Sequence, residues 1–514
     1  MLGRNIFRRR KMKQEYATGE NFSTTLGIDL EKNLQDLQVM LGNPGDLVIR
    51  RLMLGANVGA AVVFINGLSN TEDIHNDLLK NLQRNREKES DSRTPEEMLN
   101  QLQLDLISIS SIEKTNSLDT LTNKLLSGQS VVYVDGVAEV LLLGTEKWES
   151  RAIEEPVSES VIRGPREGFV ENLQTNMVLI RRHIRDPNLR FETSEVGRRS
   201  KKKLVVCYME GIVNPDIIKE VNRRLSSIDM DSAMESGYIE QWIEDSYLSP
   251  FPQMDNTERP DKVASSVLQG KVGILLDGSP FALIAPITID NSFKSPEDYY
   301  DRWLIGTFLR IIRYIGAFIT MFLPALYIAL VSFHQGMIPS QLAFSIAATR
   351  EGVPFPAFVE AIIMGFTMEL LREAGARLPK TIGQTIGIVG GLVIGEAAVS
   401  AGIVSPIMVI VVALTAVASF TIPLYSVAIS FRLLRFGFML AAAVLGLYGI
   451  VLVYIMINIH IVNLKSMGIP YSAPFSPTFI KDWRDMVLRA PIPMLNKRPE
   501  SLKSKDKRSG NLRR

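Results

Sequence analysis

Glycine recurs at every fourth position in one apolar stretch of the sequence, GQTIGIVGGLVIGEAAVSAG, at residues 383–402. The four glycines are Gly383, Gly387, Gly391 and Gly395, and one acid, Glu396, lies in the same stretch. Each interior glycine costs a helix about 1 kcal/mol relative to alanine. An ionised carboxylate near the middle of a membrane costs about 2.5–3.5 kcal/mol on insertion scales. The pattern therefore indicates a function that requires both features.

Close packing and ion conduction together would account for this pattern. Residues four apart lie nearly on one helix face, and glycines there let a neighbouring helix approach closely. Several copies around an axis would form an apolar constriction at Leu392 and an acidic ring at Glu396. The constriction would gate the pore, and the acidic ring would favour cations. The predicted pore-lining residues are Thr385, Gly387, Gly391, Leu392, Gly395 and Glu396. Two alternatives stay open: plain helix packing, and a Glu396 side chain paired or protonated within one subunit.

Long apolar runs place this stretch in a membrane. Runs of about 20 apolar residues predict spans, and the candidates are 314–333, 382–401, 406–431 and 436–462. Pro324 and Pro423 are expected to kink their helices. Arg302, Arg310 and Arg313 precede the first run, and the C-terminal residues are basic, so both ends are expected on the cytoplasmic side. A fifth crossing would instead favour Arg432 and Arg435 inside and leave the basic C-terminal residues outside.

The segment 336–380 is harder to interpret, because charged residues interrupt its apolar pattern. They include Glu360, Glu369, Arg372 and Glu373. Broken backbone at membrane depth is tolerated only inside protein or beside water. The segment is therefore expected to be re-entrant, interfacial or a fifth span, and Glu360, Glu369 and Arg372 are predicted to couple a signal to the pore.

The first 300 residues contain an internal repeat. AAVVFINGLSNTEDI (60–74) resembles LVVCYMEGIVNPDII (204–218), and LLSGQSVVYVDG (125–136) resembles VLQGKVGILLDG (267–278) at nearly the same offset. Each copy begins with a helix, at 30–42 or 169–184, and closes with two strands that meet at an Asp-Gly turn. Continuous apolar strands between helices predict a small mixed sheet covered by helices.

The predicted fold class is an α/β soluble N-terminal region of two tandem duplicated subdomains plus an α-helical polytopic membrane domain. The expected divisions are a basic tail at 1–23, subdomains at 24–160 and 161–300, a helical transmembrane domain at 301–463 and a basic C-terminal tail at 464–514. The N-terminal arginines and lysines could contact anionic lipid.

Catalysis is not expected. The sequence has no Walker loop, no GxGxxG after a strand and no HExxH, and its four histidines are scattered. The single cysteine, Cys207, excludes an intrachain disulfide or a Cys-based metal cluster and is expected to be a buried strand residue. We therefore expect no enzyme activity, no metal, no cofactor and no nucleic-acid partner.

Several long motifs carry a resemblance to a known family. They are RGPREGFVENLQTNMVLIRRHIRDP (163–187), SPFPQMDNTERPDKV (249–263), SPEDYYDRW (295–303), SFHQGMIP (332–339), REGVPFPAFVEAIIMGFTMELLREAGARLP (350–379) and GQTIGIVGGLVIGEAAV (383–399). With these motifs the sequence resembles the A subunit of the GerA-type spore germinant receptors. The resemblance covers residues from about 125 to 480 and is weaker over 1–120.

The resemblance implies a multi-pass protein of the spore inner membrane. It implies partnership with a transporter-like B subunit, which holds the nutrient, and with a C-subunit lipoprotein. It also implies a homo-oligomeric ring, expected to be a pentamer, that conducts monovalent cations when nutrient binds. Pore-lining character is carried onto residues 390–395 with Leu392 at the centre, whereas some relatives carry an uncharged residue at the position of Glu396.

Three alternatives remain at the level of sequence. One is a paralogous accessory channel of sporulation or germination that shares the fold. Another is a membrane scaffold that conducts nothing and uses the helix predicted over residues 383–402, which we call the glycine helix, only to assemble. The third is an alternating-access transporter, although the membrane half shows no inverted repeat.

Overall fold

The structure is a computed structural model of the 514-residue chain. It describes residues 25–54, 58–81, 94–107, 109, 111–146, 155, 156, 159, 161–378, 391 and 393–510. The predicted basic tail at 1–23 lies outside these residues.

Two copies of one α/β unit form the soluble region. The first contains helices α1 (Leu30–Leu41), α2 (Pro95–Gln101) and α3 (Leu118–Leu125), a short helical segment (Thr71–Asp73 and Ile74–Leu79), and strands β1 (Leu47–Leu54), β2 (Val58–Ile65), β3 (Ile112–Thr115), β4 (Ser130–Val134) and β5 (Val140–Leu143). The second contains α4 (Leu173–His183), α5 (Pro215–Leu225), α6 (Ser236–Ile243), α7 (Pro260–Gln269), and strands β6 (Leu189–Val196), β7 (Lys202–Met209), β8 (Asp255–Thr257), β9 (Val272–Leu276) and β10 (Ala282–Ala285).

The sheet topology confirms the internal repeat. The strand order is β1-β2-β4-β5-β3 in the first sheet and β6-β7-β9-β10-β8 in the second, so equivalent strands occupy equivalent places. Asp135 accepts a hydrogen bond from the backbone N–H of Leu30, and Asp277 does the same for Leu173. The Asp-Gly turn that closes each copy therefore also anchors the start of that copy's first helix.

The prediction of a mixed sheet is wrong, because every strand pair in the two sheets is antiparallel. The strands are apolar without alternation because the core continues on both faces of each sheet. In β4, for example, Val131 and Tyr133 pack into one core cluster while Val132 and Val134 pack into another. Coverage on both faces, rather than parallel pairing, explains the continuous apolar runs.

Local signals in the sequence position the helices as expected. Thr94 and Glu97 form the predicted capping box at the start of α2. Asn214 caps α5, and Pro215 occupies its first turn. Cys207 is fully buried in β7, and burial raises the pKa of its thiol to about 12, so this thiol is unreactive.

A buried ion pair joins the two subdomains. Arg181 on α4 donates two hydrogen bonds to Asp46, at 2.6 and 3.0 Å, and both side chains are almost inaccessible. Such a bidentate pair fixes the orientation of its two partners. The subdomains therefore pack as neighbours with a defined geometry.

The helical region follows a short helix, α8 (Glu297–Tyr300), and contains α9 (Trp303–Ser332), α10 (Ser340–Arg350), α11 (Ala357–Arg377), α12 (Pro406–Ser419) and α13 (Tyr425–Asn463). By length and composition, α9 and α13 could cross a membrane. The predicted run 406–431 is divided in the structure, because α12 ends at Ser419 and α13 begins at Tyr425. Pro423 therefore lies between two helices, while Pro324 lies inside α9.

The long helix α13 folds back on itself at Gly446. Its 39 residues would span about 58 Å if straight, about twice the thickness of the hydrocarbon core of a bilayer. Gly446 has φ 60° and ψ −138°, which no helix allows. The ring of Phe322 lies 4.7 Å from that of Phe438 and 5.9 Å from that of Tyr454, one on each side of Gly446. Two antiparallel arms explain these contacts.

The C-terminal segment, predicted as a basic tail, packs against the second subdomain over the residues described. Its strands β11 (Lys465–Ser466) and β12 (Ile469–Pro470) form a small hairpin. Ser466 bonds to the backbone of Gln253 and Ile287, and Tyr471 is fully buried. The soluble region and the C-terminal segment therefore lie on the same side of the helical region.

Candidate functional site

The predicted pore-lining residues are only partly within the described part of the chain. Thr385, Gly387 and Leu392 lie outside it, whereas Gly391, Gly395 and Glu396 lie within it. Residues 393–400 are helical and lead through a turn at Gly402 into α12.

The two described glycines have different surroundings. A Cβ built on Gly395 would lie 3.6 Å from the Val409 side chain on α12, so this glycine faces a helix of its own chain. A Cβ on Gly391 would meet nothing within 4 Å among the residues that the structure describes. Gly395 therefore packs within the chain, whereas Gly391 has no such contact with the described residues.

Glu396 lies on an exposed surface of this helix. Val393 and Ile394 beside it are also exposed. No hydrogen bond or ion pair joins the Glu396 carboxylate to another residue in the described part of the chain. The salt bridge within one subunit that the sequence left open is therefore absent among these residues.

Glu360, the first predicted coupling residue, holds the turn that follows the glycine helix. Its carboxylate is fully buried and accepts hydrogen bonds from the backbone N–H and the hydroxyl of Ser405, both at 2.8 Å. Arg350 at the end of α10 lies 2.9 Å from its other oxygen. Because Ser405 is the N-cap of α12, Glu360 ties α10, α11 and the start of α12 together.

Glu369 and Arg372, the other predicted coupling residues, belong to a second ionic cluster further along α11. Glu369 accepts from Arg432 at 3.1 Å and from Arg435 at 3.0 Å, both on α13, and lies 3.4 Å from Arg372. Arg372 also donates to the hydroxyl of Ser419 at the end of α12. One carboxylate thus connects three helices through three arginines, and we call these four charged residues the Glu369 cluster.

The structure contains a third ionic cluster, which sequence reasoning missed. Asp298 on α8 is fully buried and accepts from Arg310 at 2.8 Å and from Arg313 at 2.7 and 2.8 Å, both on α9. Arg310 also donates to the carboxylate of Asp485 in the C-terminal segment, at 2.8 Å. This Asp298 clamp joins the second subdomain, the first apolar helix and the C-terminal segment.

Hydrogen bonds around Asp485 extend this clamp. Tyr299 donates its hydroxyl to Asp485 at 2.6 Å, and burial raises the pKa of this hydroxyl, with Asp485 adding to the effect. Although burial opposes it, Asp290 and Asp485 raise the pKa of Lys294, which stays charged. The neighbouring Arg489 side chain is buried and donates to the backbone carbonyl of Asp301. Tyr299 and Arg489 therefore add hydrogen bonds between residues 299–301 and the C-terminal segment.

The structure gives these arginines a role that the sequence did not indicate. Arg310 and Arg313 precede the first apolar run, where the sequence analysis interprets them as a topology signal, and in the structure both are buried against Asp298. The motif SPEDYYDRW, which contains Asp298 and Tyr299, is the sequence feature that could have indicated this cluster. The sequence does not indicate that Asp485 joins the cluster, because Asp485 is separated from this motif by the whole helical region.

The comparisons with known proteins cover both the soluble and the helical regions. The chain matches the family described as Bacillus/Clostridium GerA spore germination protein over residues 35–501. It is 49% identical over 484 residues to Spore germination protein GerLA of Bacillus cereus, covering 93% of this chain and 97% of that protein. It is 44% identical over 480 residues to Spore germination protein KA of Bacillus subtilis (strain 168), covering 93% and 87%.

A solved structure also resembles part of the chain. It is the crystal structure of the N-terminal domain of the A subunit of the Bacillus megaterium spore germinant receptor GerK3. The sequence identity is 33% and the TM-score 0.42, and the match covers 52% of this chain and 98% of that one.

Proposed function

The chain belongs to the GerA family of spore germination proteins, and its relatives in that family are A subunits of germination receptors. On that premise we propose that it forms, with copies of itself, a cation channel opened by nutrient. Ion release through this channel starts germination. The channel works with a transporter-like B subunit and a lipoprotein C subunit in the spore inner membrane.

A multi-pass arrangement is supported by the helix α13 and its two arms. The ring of Phe251, in the soluble region, lies 6.4 Å from Phe431 near the start of α13 and 6.2 Å from His460 near its end. In the proposed topology the two arms cross the membrane in opposite directions. The soluble region and the C-terminal segment then share the cytoplasmic side, which requires an even number of crossings.

The open face of the glycine helix is the observation that carries the proposal. Among the described residues nothing lies within 4 Å of a Cβ built on Gly391, and the exposed Glu396 has no partner. Facing lipid, an ionised Glu396 would cost about 2.5–3.5 kcal/mol. Packing of identical helices at Gly391 removes that face from lipid and lets Glu396 line water.

In the proposed pore the constriction and the acidic ring have separate tasks. Leu392 closes the path when nutrient is absent, because an apolar ring excludes water. Glu396 concentrates cations next to this constriction, since rings of like charge focus the electrostatic field. Thr385 and Gly387 continue the same path.

The proposed coupling runs through α11. Glu360 holds the start of α12 and the Glu369 cluster holds its end. The glycine helix in turn packs on α12, where Gly395 faces Val409. Nutrient binding to the B subunit would shift α11, and the glycine helix would move with it. A discrete rearrangement of this kind is how packed helices transmit a signal.

A non-conducting scaffold is the second candidate. The contact between Gly395 and Val409 favours it, because it shows that part of the glycine stripe serves packing within one chain. Reconstitution distinguishes the two candidates. Purified A, B and C subunits in liposomes loaded with potassium should release it on addition of nutrient if the chain is a channel, and should retain it if the chain is a scaffold.

Substituting Glu396→Gln should lower the potassium flux of this reconstituted complex by about tenfold at low ionic strength, because the acidic ring no longer concentrates cations. The difference should shrink as salt is added, since salt screens the field. The matched control is Glu373→Gln, which removes an exposed acid that pairs with Arg377 on the surface of α11. Equal fluxes for the two variants would remove Glu396 from the ion path.

A further inference from the structure

A polar cavity of about 180 Å³ lies where the second subdomain meets the segment that leads into α9. One wall comes from α7 and the residues around it, including Asp261 and Lys271. The other comes from residues 291–300, which end in α8. Pockets for drug-sized ligands have about 300–1,000 Å³, so an occupant of this cavity must be small.

Lys271 is the unusual residue of this cavity. It is 6% exposed, and in the described part of the chain no hydrogen bond or ion pair reaches its ammonium group. The other two lysines of the cavity are paired: Lys262 with Asp255 and Glu159, and Lys294 with Asp290. Burial lowers the pKa of Lys271 to about 8, against the pull of Asp255 and Asp290. An ammonium buried without a partner is costly.

Two further polar atoms in the cavity wall lack partners among the described residues. The side-chain N–H₂ of Asn291 is buried and makes no hydrogen bond, and neither does one carboxylate oxygen of Asp261. The other oxygen of Asp261 accepts from Arg259 and Tyr300. Buried polar groups are nearly always bonded. The cavity therefore offers two donors, on Lys271 and Asn291, and one acceptor, on Asp261.

We propose that this cavity binds a small carboxylate whose other end carries a hydrogen-bond donor. The carboxylate bonds to Lys271 and Asn291, and the donor, an ammonium or a hydroxyl, bonds to Asp261. This proposal goes beyond the channel function, which assigns no ligand to this subunit.

The position of the cavity gives such a ligand a way to act on the helical region. Tyr299 and Lys294 line the cavity and also contact Asp485 of the Asp298 clamp. A ligand held between α7 and residues 291–300 would favour one arrangement of that segment. If the ligand binds more tightly to one arrangement of this segment than to another, its binding would shift the position of α9 accordingly.

Binding can be tested on the purified full-length chain in nanodiscs by saturation-transfer NMR with four probes. Glycine and glycolate carry both a carboxylate and a donor, acetate carries only the carboxylate, and ethanolamine carries only donors. We expect glycine or glycolate to bind most tightly, acetate more weakly and ethanolamine not measurably. The substitution Lys271→Met removes a charge-assisted hydrogen bond to the carboxylate and should therefore weaken binding by about tenfold or more.

The control variant is Lys219→Met, which makes the same change at an exposed site on α5, and it should bind like wild type. Asn291→Ala provides a second variant with a smaller expected loss, should Lys271→Met fail to fold. The proposal is overturned if no carboxylate probe binds, or if a folded Lys271→Met or Asn291→Ala chain binds as tightly as wild type. Because the assay needs neither ion flux nor the other subunits, its outcome is independent of whether the chain conducts.

Discussion

Replacing Asp298 with asparagine should lower the free energy of unfolding of the chain by about 3–5 kcal/mol. The substitution keeps the shape of the side chain but leaves the buried guanidinium groups of Arg310 and Arg313 with one carboxylate, Asp485, between them. Breaking a buried pair on one side leaves an uncompensated charge, which is why the expected cost is large. Chemical denaturation of the purified chain in detergent, followed by tryptophan fluorescence, measures it.

The matched control for this prediction is Asp301→Asn, three residues further along. Among the described residues its carboxylate pairs with Arg163, at 3.4 Å, and the Arg163 side chain is 68% exposed. Pairs at the surface contribute at most about 1 kcal/mol. Spores carrying Asp298→Asn should also contain less of this protein and respond poorly to nutrient. If the two variants unfold alike, the Asp298 clamp does not hold the junction.

The second large effect is expected at Glu369. Substituting Glu369→Gln removes the one negative charge of the Glu369 cluster and leaves Arg372, Arg432 and Arg435 facing each other. Their repulsion should separate α11 from α13. Because the amide oxygen of glutamine can still accept one hydrogen bond, the protein should accumulate, while nutrient-triggered potassium release from spores should slow by about tenfold or more, a typical allosteric coupling.

An immunoblot of the spore membrane separates lost coupling from lost protein in this experiment. Glu373→Gln is again the control, since it lies one turn away on α11 and its pair with Arg377 is exposed. Normal nutrient response in Glu369→Gln spores with normal protein levels would exclude the proposed route through α11.

Local signals were sufficient to predict the soluble region in some detail. The repeat, the caps at Thr94 and Asn214 and the Asp-Gly turns all depend on residues close together in the chain, and the structure confirms them. The strand directions were mispredicted because an apolar strand covered on both faces has the same composition in parallel and antiparallel sheets.

The helical region depends on contacts that composition does not encode. Gly446 lies in an uninterrupted apolar run, so hydropathy gives no sign that α13 folds back there. The same limit applies to the ionic clusters. Arg310 meets Asp485, and Glu369 meets Arg435, across long stretches of sequence. A basic residue before an apolar run is interpreted as a topology signal unless its buried partner is known.

The measurement that tests the proposed channel most directly is potassium release, without nutrient, from spores in which Leu392 is replaced by alanine. Leu414→Ala, which truncates an exposed leucine on α12, is the control, and immunoblots should show equal amounts of both variants and of wild type. If Leu392 is the closed constriction, the smaller side chain lets water enter. The spores should then leak potassium and begin to germinate spontaneously, while the control spores retain theirs. Retention of potassium by Leu392→Ala spores until nutrient arrives would contradict a gate at this position and leave the glycine stripe as plain helix packing.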